Sequence, residues 1–268
     1  MKKLEELKLK DKKIIIFDLD GTLIDSIGVW NMTDQKLVYD YSGINVDLEC
    51  IQADRDYFLN NNPSSDIYIA YCAYLINKYN LSIKNPNKLS DLRKDVANEV
   101  LKCDIGFKPN VTNLILRLKE LGYKLVLATV TTSEQLEIYY KENQKMLSEM
   151  NIKETFDLIT TKETVKKKKP DPEIYFTIMN FFDAKPSECL IFEDSYTGVM
   201  AATRAGIEVV NIYDKYSDVD RDKINSITDY SMVNYGEFIN KCLNQLDTND
   251  LNCQKSKTLK LTTQKNIY

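Results

Sequence analysis

Ile14-Ile15-Ile16-Phe17-Asp18-Leu19-Asp20-Gly21-Thr22-Leu23 is the stretch on which the reading of this chain turns. Four apolar residues in a row, with no period-2 break, suit a strand covered on both faces, as strands of a parallel α/β sheet are. Two carboxylates two residues apart follow at once. Strand side chains alternate between faces, so the pattern predicts Asp18 and Asp20 on one side and Phe17 and Leu19 on the other. Gly21 and Thr22 then turn the chain at the carboxyl end of the strand, where open α/β sheets place their ligands. Acids this close repel one another, and a hard divalent cation such as Mg²⁺ is the natural positive group to sit between them. A calcium loop is excluded by spacing, since its glycine position holds Leu23 and its bidentate acid position Val29. An unspecific acidic turn is the plain alternative for these residues taken alone.

Beyond this stretch the chain changes texture twice. From about Asp25 to Cys103 no convincing strand occurs. Leu23 to about Tyr41 reads as a helix with Ile27, Trp30, Leu37, Val38 and Tyr41 on one side. Ser65-Asp66 reads as a helix start, with Ile67, Tyr68, Tyr71, Cys72, Leu75 and Tyr79 following at helical spacing. A further helix is expected over Leu89 to Leu101, with Leu92, Val96 and Val100 inward, and Asn61-Asn62-Pro63 and Asn85-Pro86-Asn87 read as breaks.

Strands and helices then alternate. Val111, Leu114, Ile115, Leu118 and Leu121 form a stripe closed by Gly122. Lys124 to Thr129 is an apolar run, and Thr131 with Glu134 reads as a capping box. Phe156 to Thr160 is a weaker strand. Asp171-Pro172 opens a helix to Phe182. Cys189 to Phe192 and Glu208 to Ile212 are strands around a helix from Thr197 to Ala205, ended by Gly206. The alternation predicts a doubly wound parallel sheet, a Rossmann-like core, with an inserted all-helical domain. The expected boundaries are 1–24 and 104–247 for the core, 25–103 for the helical insertion and 248–268 for a polar, disordered or loosely docked tail.

Composition limits the function classes. The 268 residues are 43% hydrophobic and 28% charged, enough for a real core, and the net charge of −4 gives nothing that attracts nucleic acid or an anionic membrane surface. Six scattered cysteines without a Cys-x-x-Cys pair read as reduced thiols in the cytoplasm. No apolar run reaches the roughly 18–20 residues that span a bilayer, and the charged lead-in Met1 to Lys13 lacks the apolar segment of a signal peptide. The chain contains no histidine. Imidazole acid–base steps, His-based zinc sites and Ser-His-Asp chemistry are therefore excluded, and any acid or base is a carboxylate, Lys, Tyr or Cys.

Three of the strands end in polar residues: Asp18/Asp20, Thr129, and Glu193/Asp194. Lys169 stands in Lys-Pro-Asp-Pro just before a helix. Together with Asp-Leu-Asp-Gly-Thr-Leu at 18–23, Glu193-Asp194-Ser195 and the Gly198 to Gly206 texture, this ordered set resembles the haloacid dehalogenase-like hydrolase superfamily, in its helical-cap branch of phosphatases and β-phosphoglucomutases. The resemblance covers roughly residues 12–240 and matches nothing in detail within the cap. It implies Asp18 as nucleophile forming an aspartyl-phosphate, and Asp20 as the acid and base that serves the leaving oxygen and then the water. It implies Mg²⁺ held by Asp18, the backbone carbonyl of Asp20 and Asp194, with Glu193 nearby, and phosphoryl oxygens bound by Thr129 and Lys169.

Each piece has a duller explanation in isolation: Thr129 as a strand-end threonine, Lys166 to Lys169 as a solvated basic face, Glu193-Asp194 as helix-capping acids, the tyrosines of Tyr68 to Tyr79 as cap core. Their joint occurrence at strand ends favours the enzyme. Dehalogenases that resemble this site lack the second aspartate, so Asp20 favours phosphoryl transfer, and phosphonate hydrolysis finds only an unsupported Lys36. The expected function is Mg²⁺-dependent hydrolysis of a small phosphorylated metabolite, a sugar phosphate foremost, by a monomer. A sugar-phosphate mutase is the rival, weakened because related mutases carry a histidine where this chain has Asp25 to Trp30. A non-catalytic binding protein is the remote alternative. Arg55, Lys78, Arg93 and Lys94 are the cap cations from which a substrate contact is expected to come, most being ordinary surface charges.

Overall fold

The computed structural model describes residues 1–62 and 67–244; Ser65-Asp66, Cys253 and the tail from Thr248 lie outside the described residues. Among the described residues, two short 3-10 turns precede β1 (Ile14–Phe17). The helices α1 (Val29–Ser42), α2 (Leu48–Asn61), α3 (Ile67–Lys78) and α4 (Pro86–Cys103) follow. Next come α5 (Val111–Glu120), β2 (Lys124–Ala128), α6 (Ser133–Lys141), α7 (Gln144–Glu149), α8 (Ile152–Thr155) and β3 (Leu158–Thr160). The remainder is α9 (Glu173–Phe182), β4 (Cys189–Glu193), α10 (Tyr196–Arg204), β5 (Glu208–Ile212), α11 (Arg221–Ile227), β6 (Tyr230–Met232) and α12 (Tyr235–Phe238). No helix among the described residues is long and apolar enough to cross a membrane.

The chain divides into two compact units. The first, built from Met1–Ile24, Phe107–Ser133 and the residues from Met150 onward, carries the sheet. Its strand order is β3-β2-β1-β4-β5-β6, with every neighbouring pair parallel. β1 is interior: Phe17 lies in register with Leu127 of β2 and Phe192 of β4. Its alternate residues face two cores. Ile14 and Ile16 pack with Val126, Ile191 and Tyr175 on one face. On the other, Phe17 stacks on Phe192 at 4.7 Å, and Phe192 meets Phe238 edge-on at 4.9 Å. That is why all four residues of the apolar run are buried, each side chain contributing about 1.5–3 kcal/mol. Since β2 and β4 flank β1, the order reverses beside it, and such a switch point opens a crevice at the carboxyl ends of the strands.

The second unit, Asp25–Gly106 with Glu134–Glu149, is helical. Its core gathers Leu37 and Val38 of α1, Ile51 and Phe58 of α2, and Tyr71, Cys72 and Leu75 of α3. A polar pair lies buried in it. Arg93 binds Asp34 with both prongs, Nε to Oδ1 at 2.6 Å and Nη2 to Oδ2 at 3.0 Å. The guanidinium also lies 5.1 Å from the Trp30 ring and 5.2 Å from that of Tyr71.

Several local expectations shift. The helix expected from Leu23 starts at Val29, because Leu23 and Ile24 bond back to the carbonyl of Leu19 and are buried under the turn. α2 and β6 carry too little apolar pattern to be seen in the sequence; among the described side chains of α2, only Ile51 and Phe58 are buried. The break expected at Asn85-Pro86-Asn87 ends at Asn85, which caps α4: its side chain accepts from the N–H groups of Asn87 and Lys88, and the helix starts at Pro86. In α4 the buried stripe runs through Leu89, Arg93, Ala97 and Val100, with Leu92 and Val96 half-buried, since the Asp34 pair turns Arg93 inward. α6 begins at Ser133, one position later than a Thr131 cap requires. Residues 134–149, expected with the core, cluster with the helical unit instead. One reason is Asn143, fully buried, whose amide donates to the carbonyls of Leu101 and Ile105 at 2.6 and 2.9 Å.

Candidate active site

β1 ends at Phe17, so both aspartates lie past the strand. The Asp18 N–H still donates to the Phe192 carbonyl at 3.0 Å, extending the β4 side by one residue. Beyond it the chain turns, with Gly21 at φ +77° and its N–H donating to Ile24 O at 3.0 Å. That left-handed conformation is what requires glycine there. Strand alternation therefore does not orient Asp20; the turn does. Its half-buried carboxylate accepts a hydrogen bond from the Thr131 hydroxyl.

Asp18 is buried beside Lys169, whose ammonium donates to Asp18 Oδ1 at 2.6 Å, Glu193 Oε1 at 2.8 Å and Ala128 O at 3.1 Å. Burial pushes the Asp18 carboxyl up to about 7; Lys169 pulls against this, while Glu193 and Asp20 add to it. For Lys169 burial works against the charge, but Asp18 and Glu193 outweigh it and hold its pKa well above the ordinary range. Lys169 is a charged anchor. Thr129 follows β2 directly and is buried. Its oxygen accepts the Thr131 N–H at 3.0 Å, which leaves its own proton to donate.

Glu193 ends β4 and braces the loop after it. Its Oε2 accepts from the N–H groups of Asp194 and Ser195 at 2.8 and 2.9 Å and from the Ser195 hydroxyl at 3.1 Å. Ser195 in turn caps α10 by accepting from Gly198 N–H at 3.1 Å. Gly198 has its own reason for being glycine: a Cβ there stands 1.5 Å from Glu193 Oε1. Asp194 receives the Thr22 hydroxyl on Oδ1 at 2.7 Å and the Ser217 hydroxyl on Oδ2 at 3.3 Å. Burial, then the charges of Glu193 and Asp18, raise its carboxyl well above the usual range.

Asp18, Glu193 and Asp194 each offer a carboxylate oxygen within 4.8 Å of the others. Three buried acids share one lysine; burial first, and then their mutual repulsion, raises the carboxyls of Asp18 and Asp194. An all-oxygen donor set with surplus negative charge fits a hard divalent cation.

All six residues singled out by sequence, Asp18, Asp20, Thr129, Lys169, Glu193 and Asp194, belong to the first unit. Hydrogen bonds join them in two chains, Asp18–Lys169–Glu193–Asp194 and Thr129–Thr131–Asp20, and Lys169 also binds the carbonyl of Ala128, the residue before Thr129. Sequence reasoning missed Thr131 as the partner of Asp20, Ser217 on Asp194, and Tyr175, whose ring lies 5.6 Å from the Lys169 ammonium. Only the nearness of Thr131 to Thr129 offered a signal. In the helical unit, Arg93 is committed to Asp34, Lys78 to Asp54, and Lys36 to Asp40 at 3.3 Å. Arg55 reaches Asn31 at 3.4 Å, and Lys94 lies exposed near Asp91. Arg93 is thus a core residue, not a substrate contact. Of the tyrosines, Tyr71 and Tyr79 are buried and Tyr68 is exposed.

A family profile described as haloacid dehalogenase-like hydrolase matches residues 15–212. Protein CbbY of Rhodobacter capsulatus is 26% identical over 214 residues, 78% of this chain and 88% of CbbY. The phosphorylated carbohydrates phosphatase of Thermotoga maritima is 34% identical over 128 residues, so the match spans 47% of this chain and only 54% of that protein. Among solved structures, a hydrolase of the same family from Deinococcus radiodurans R1, with bound phosphate and sodium, superposes with a TM-score of 0.64 at 17% identity, over 85% of this chain and 93% of that one. At that identity the likeness speaks for the fold. The profile spans most of the chain and both ends of the site, and this chain belongs to the haloacid dehalogenase-like hydrolase family.

Proposed function

We propose that this hydrolase is a Mg²⁺-dependent phosphatase that cleaves the phosphomonoester of a small phosphorylated metabolite, a sugar phosphate foremost. The observation that carries the reading is the pairing of a buried Asp18 with a buried, charged Lys169, in a cluster of acids with too little positive charge of its own. The names of the relatives supply the substrate class, one of them being a phosphatase of phosphorylated carbohydrates.

In this mechanism a carboxylate oxygen of Asp18 attacks phosphorus, the P–O bond to the metabolite breaks, and an acyl phosphate forms on Asp18. Asp20 gives its proton to the departing alkoxide. It then takes a proton from the water that attacks the same phosphorus and returns Asp18 as a carboxylate. The Thr131 hydroxyl holds Asp20 in place for both transfers. Thr129 donates its hydroxyl proton to a phosphoryl oxygen, and Lys169 sets a fixed positive charge where charge spreads in the transition state. Asp18 and Asp194, with the backbone carbonyl of Asp20, are the residues to hold Mg²⁺, while Glu193 is occupied in positioning Lys169 and the loop to α10. When bound, the ion screens the repulsion between Asp18 and an anionic substrate.

The test is hydrolysis of 4-nitrophenyl phosphate with Mg²⁺ or with chelator. Turnover is expected only with the metal, and Asp18→Asn is expected to abolish it. Metal-independent turnover, or turnover unchanged in that variant, overturns the reading. With β-glucose 1-phosphate the expected product is free phosphate; the 6-phosphate isomer in its place identifies a mutase.

A further inference from the structure

Lys166, Lys167 and Lys168 have no part in that chemistry, yet they run directly into Lys169. All three are exposed, whereas the side chain of Lys169 is only 5% accessible. The loop that displays them is fastened. The N–H groups of Lys166 and Lys167 donate one to each carboxylate oxygen of Glu173, at 2.9 and 3.0 Å, and the Lys168 carbonyl accepts from Asp171 N–H at 3.0 Å. Lys167 makes a loose, exposed pair with Asp171 at 3.6 Å. Neither Lys166 nor Lys168 pairs with an acid among the described residues.

The site these lysines adjoin has the opposite sign. Asp18, Asp20, Glu193 and Asp194 set four carboxyl groups around the single ammonium of Lys169. The whole chain carries −4. A phosphate monoester is mostly a dianion near neutral pH, its second pKa being about 6. Substrate therefore approaches a protein and a cleft of its own sign. Consecutive Cα atoms are about 3.8 Å apart and a lysine ammonium stands about 6 Å from its Cα, so all three ammonium groups lie within roughly 25 Å of that of Lys169. That bound is inside the screening length of about 30 Å at 0.01 M salt, a length that shrinks to about 3 Å at 1 M.

We propose that Lys166, Lys167 and Lys168 form an electrostatic collar that concentrates phosphate esters at the site and favours substrates carrying a second anionic group over those with the phosphate alone. The proposal rests on the phosphatase reading and adds a substrate class to it. A charged collar raises the local concentration of an anion in proportion to the anion's charge, and so raises kcat/KM without touching kcat. It acts through the field, so salt removes it.

The experiment compares the wild type with a triple variant, Lys166→Gln, Lys167→Gln and Lys168→Gln. A second triple, Lys3→Gln, Lys8→Gln and Lys10→Gln, changes the net charge equally on the exposed lead-in before β1. The substrates are phenyl phosphate and 3-carboxyphenyl phosphate, which differ by one charge. At about 10 mM ionic strength the collar variant is expected to lose roughly three- to tenfold in kcat/KM on phenyl phosphate, and more on the carboxylated ester, with kcat unchanged. At about 0.5 M salt the three proteins are expected to converge. Unchanged kcat/KM at low salt, a loss that persists at high salt, an equal loss in the lead-in variant, or equal losses on the two esters each overturns the proposal. If the wild type hydrolyses neither ester, the phosphatase reading falls by itself. Calorimetric binding of inorganic phosphate at the two salt levels, with Mg²⁺ present, then still judges the collar by the same comparison.

Discussion

At the residue scale, Gly198 touches no substrate in the proposed chemistry, yet the position of Glu193 depends on it. With a Cβ placed 1.5 Å from Glu193 Oε1, an added methyl group must displace the carboxylate that holds Lys169 and the N–H groups of Asp194 and Ser195. Gly198→Ala is expected to destabilise the fold by about 1–3 kcal/mol, as overpacking does, and to lower turnover at least tenfold. Thermal melting and steady-state kinetics measure both, and a variant with wild-type turnover contradicts the bracing role. Ser217 acts more gently, through one hydrogen bond to Asp194. Ser217→Ala is expected to weaken Mg²⁺ binding by roughly tenfold, the usual size of a loss behind a ligand, with the melting temperature little changed; titration calorimetry reads it. Gly198 was visible in the sequence as part of a pattern, but its reason was not. A clash with a side chain five residues away exists only once β4 and α10 are folded against each other.

At the scale of elements, the helical unit shows where periodicity misleads. An apolar stripe through Leu92, Val96 and Val100 is the natural reading of α4, but the helix is turned so that Arg93 faces inward. The reason is Asp34 on α1, whose carboxylate Arg93 binds with both prongs inside the core. Truncating either partner leaves a buried charge alone. Asp34→Ala is therefore expected to cost about 3–5 kcal/mol. The double variant Asp34→Leu, Arg93→Met is expected to recover much of that, because an apolar pair of similar volume carries no desolvation penalty. Chemical denaturation checks the order of the three proteins, and a double variant weaker than the single one contradicts it. β1, by contrast, was legible from its residues alone. A run buried on both faces shows as an unbroken apolar stretch, whereas a helix buried through an ion pair shows no such pattern.

At the scale of the whole molecule, charge decides two behaviours. Glu208 pairs with the buried Lys12 at 2.7 Å and with Lys2 at 3.1 Å. Burial favours its neutral form, but the lysines prevail and its pKa is lowered. Its folded pKa lies below the unfolded value of about 4.3, so its stabilising contribution is complete above that pH and is lost as pH falls through the folded pKa. Glu208→Gln is expected to flatten the acid limb of the stability curve and to leave its shape at neutral pH unaltered; melts from pH 3 to 7 follow this, and an unchanged acid limb contradicts it. The acids at the site make the opposite demand. Removing Mg²⁺ leaves them facing Lys169 alone, so adding the ion is expected to raise the melting temperature, by about 2.7 kcal/mol of stability at a hundredfold excess over Kd. Asp194→Asn is expected to remove most of that gain, and an equal gain in the variant contradicts the assignment of Asp194.

Sequence alone was enough for the parallel sheet, the helical insertion and the family, because a doubly buried strand, alternating elements and an ordered set of motifs are local in the chain. Tertiary structure alone decided which atoms meet. It turned Asp20 toward Thr131, set Ser217 on Asp194, buried Arg93 against Asp34 and joined residues 134–149 to the helical unit. Each of these is a directional bond or a packing contact between segments distant in sequence or past the end of a strand. Short-range pattern reports which face of an element is apolar; it carries no record of the partner that waits there.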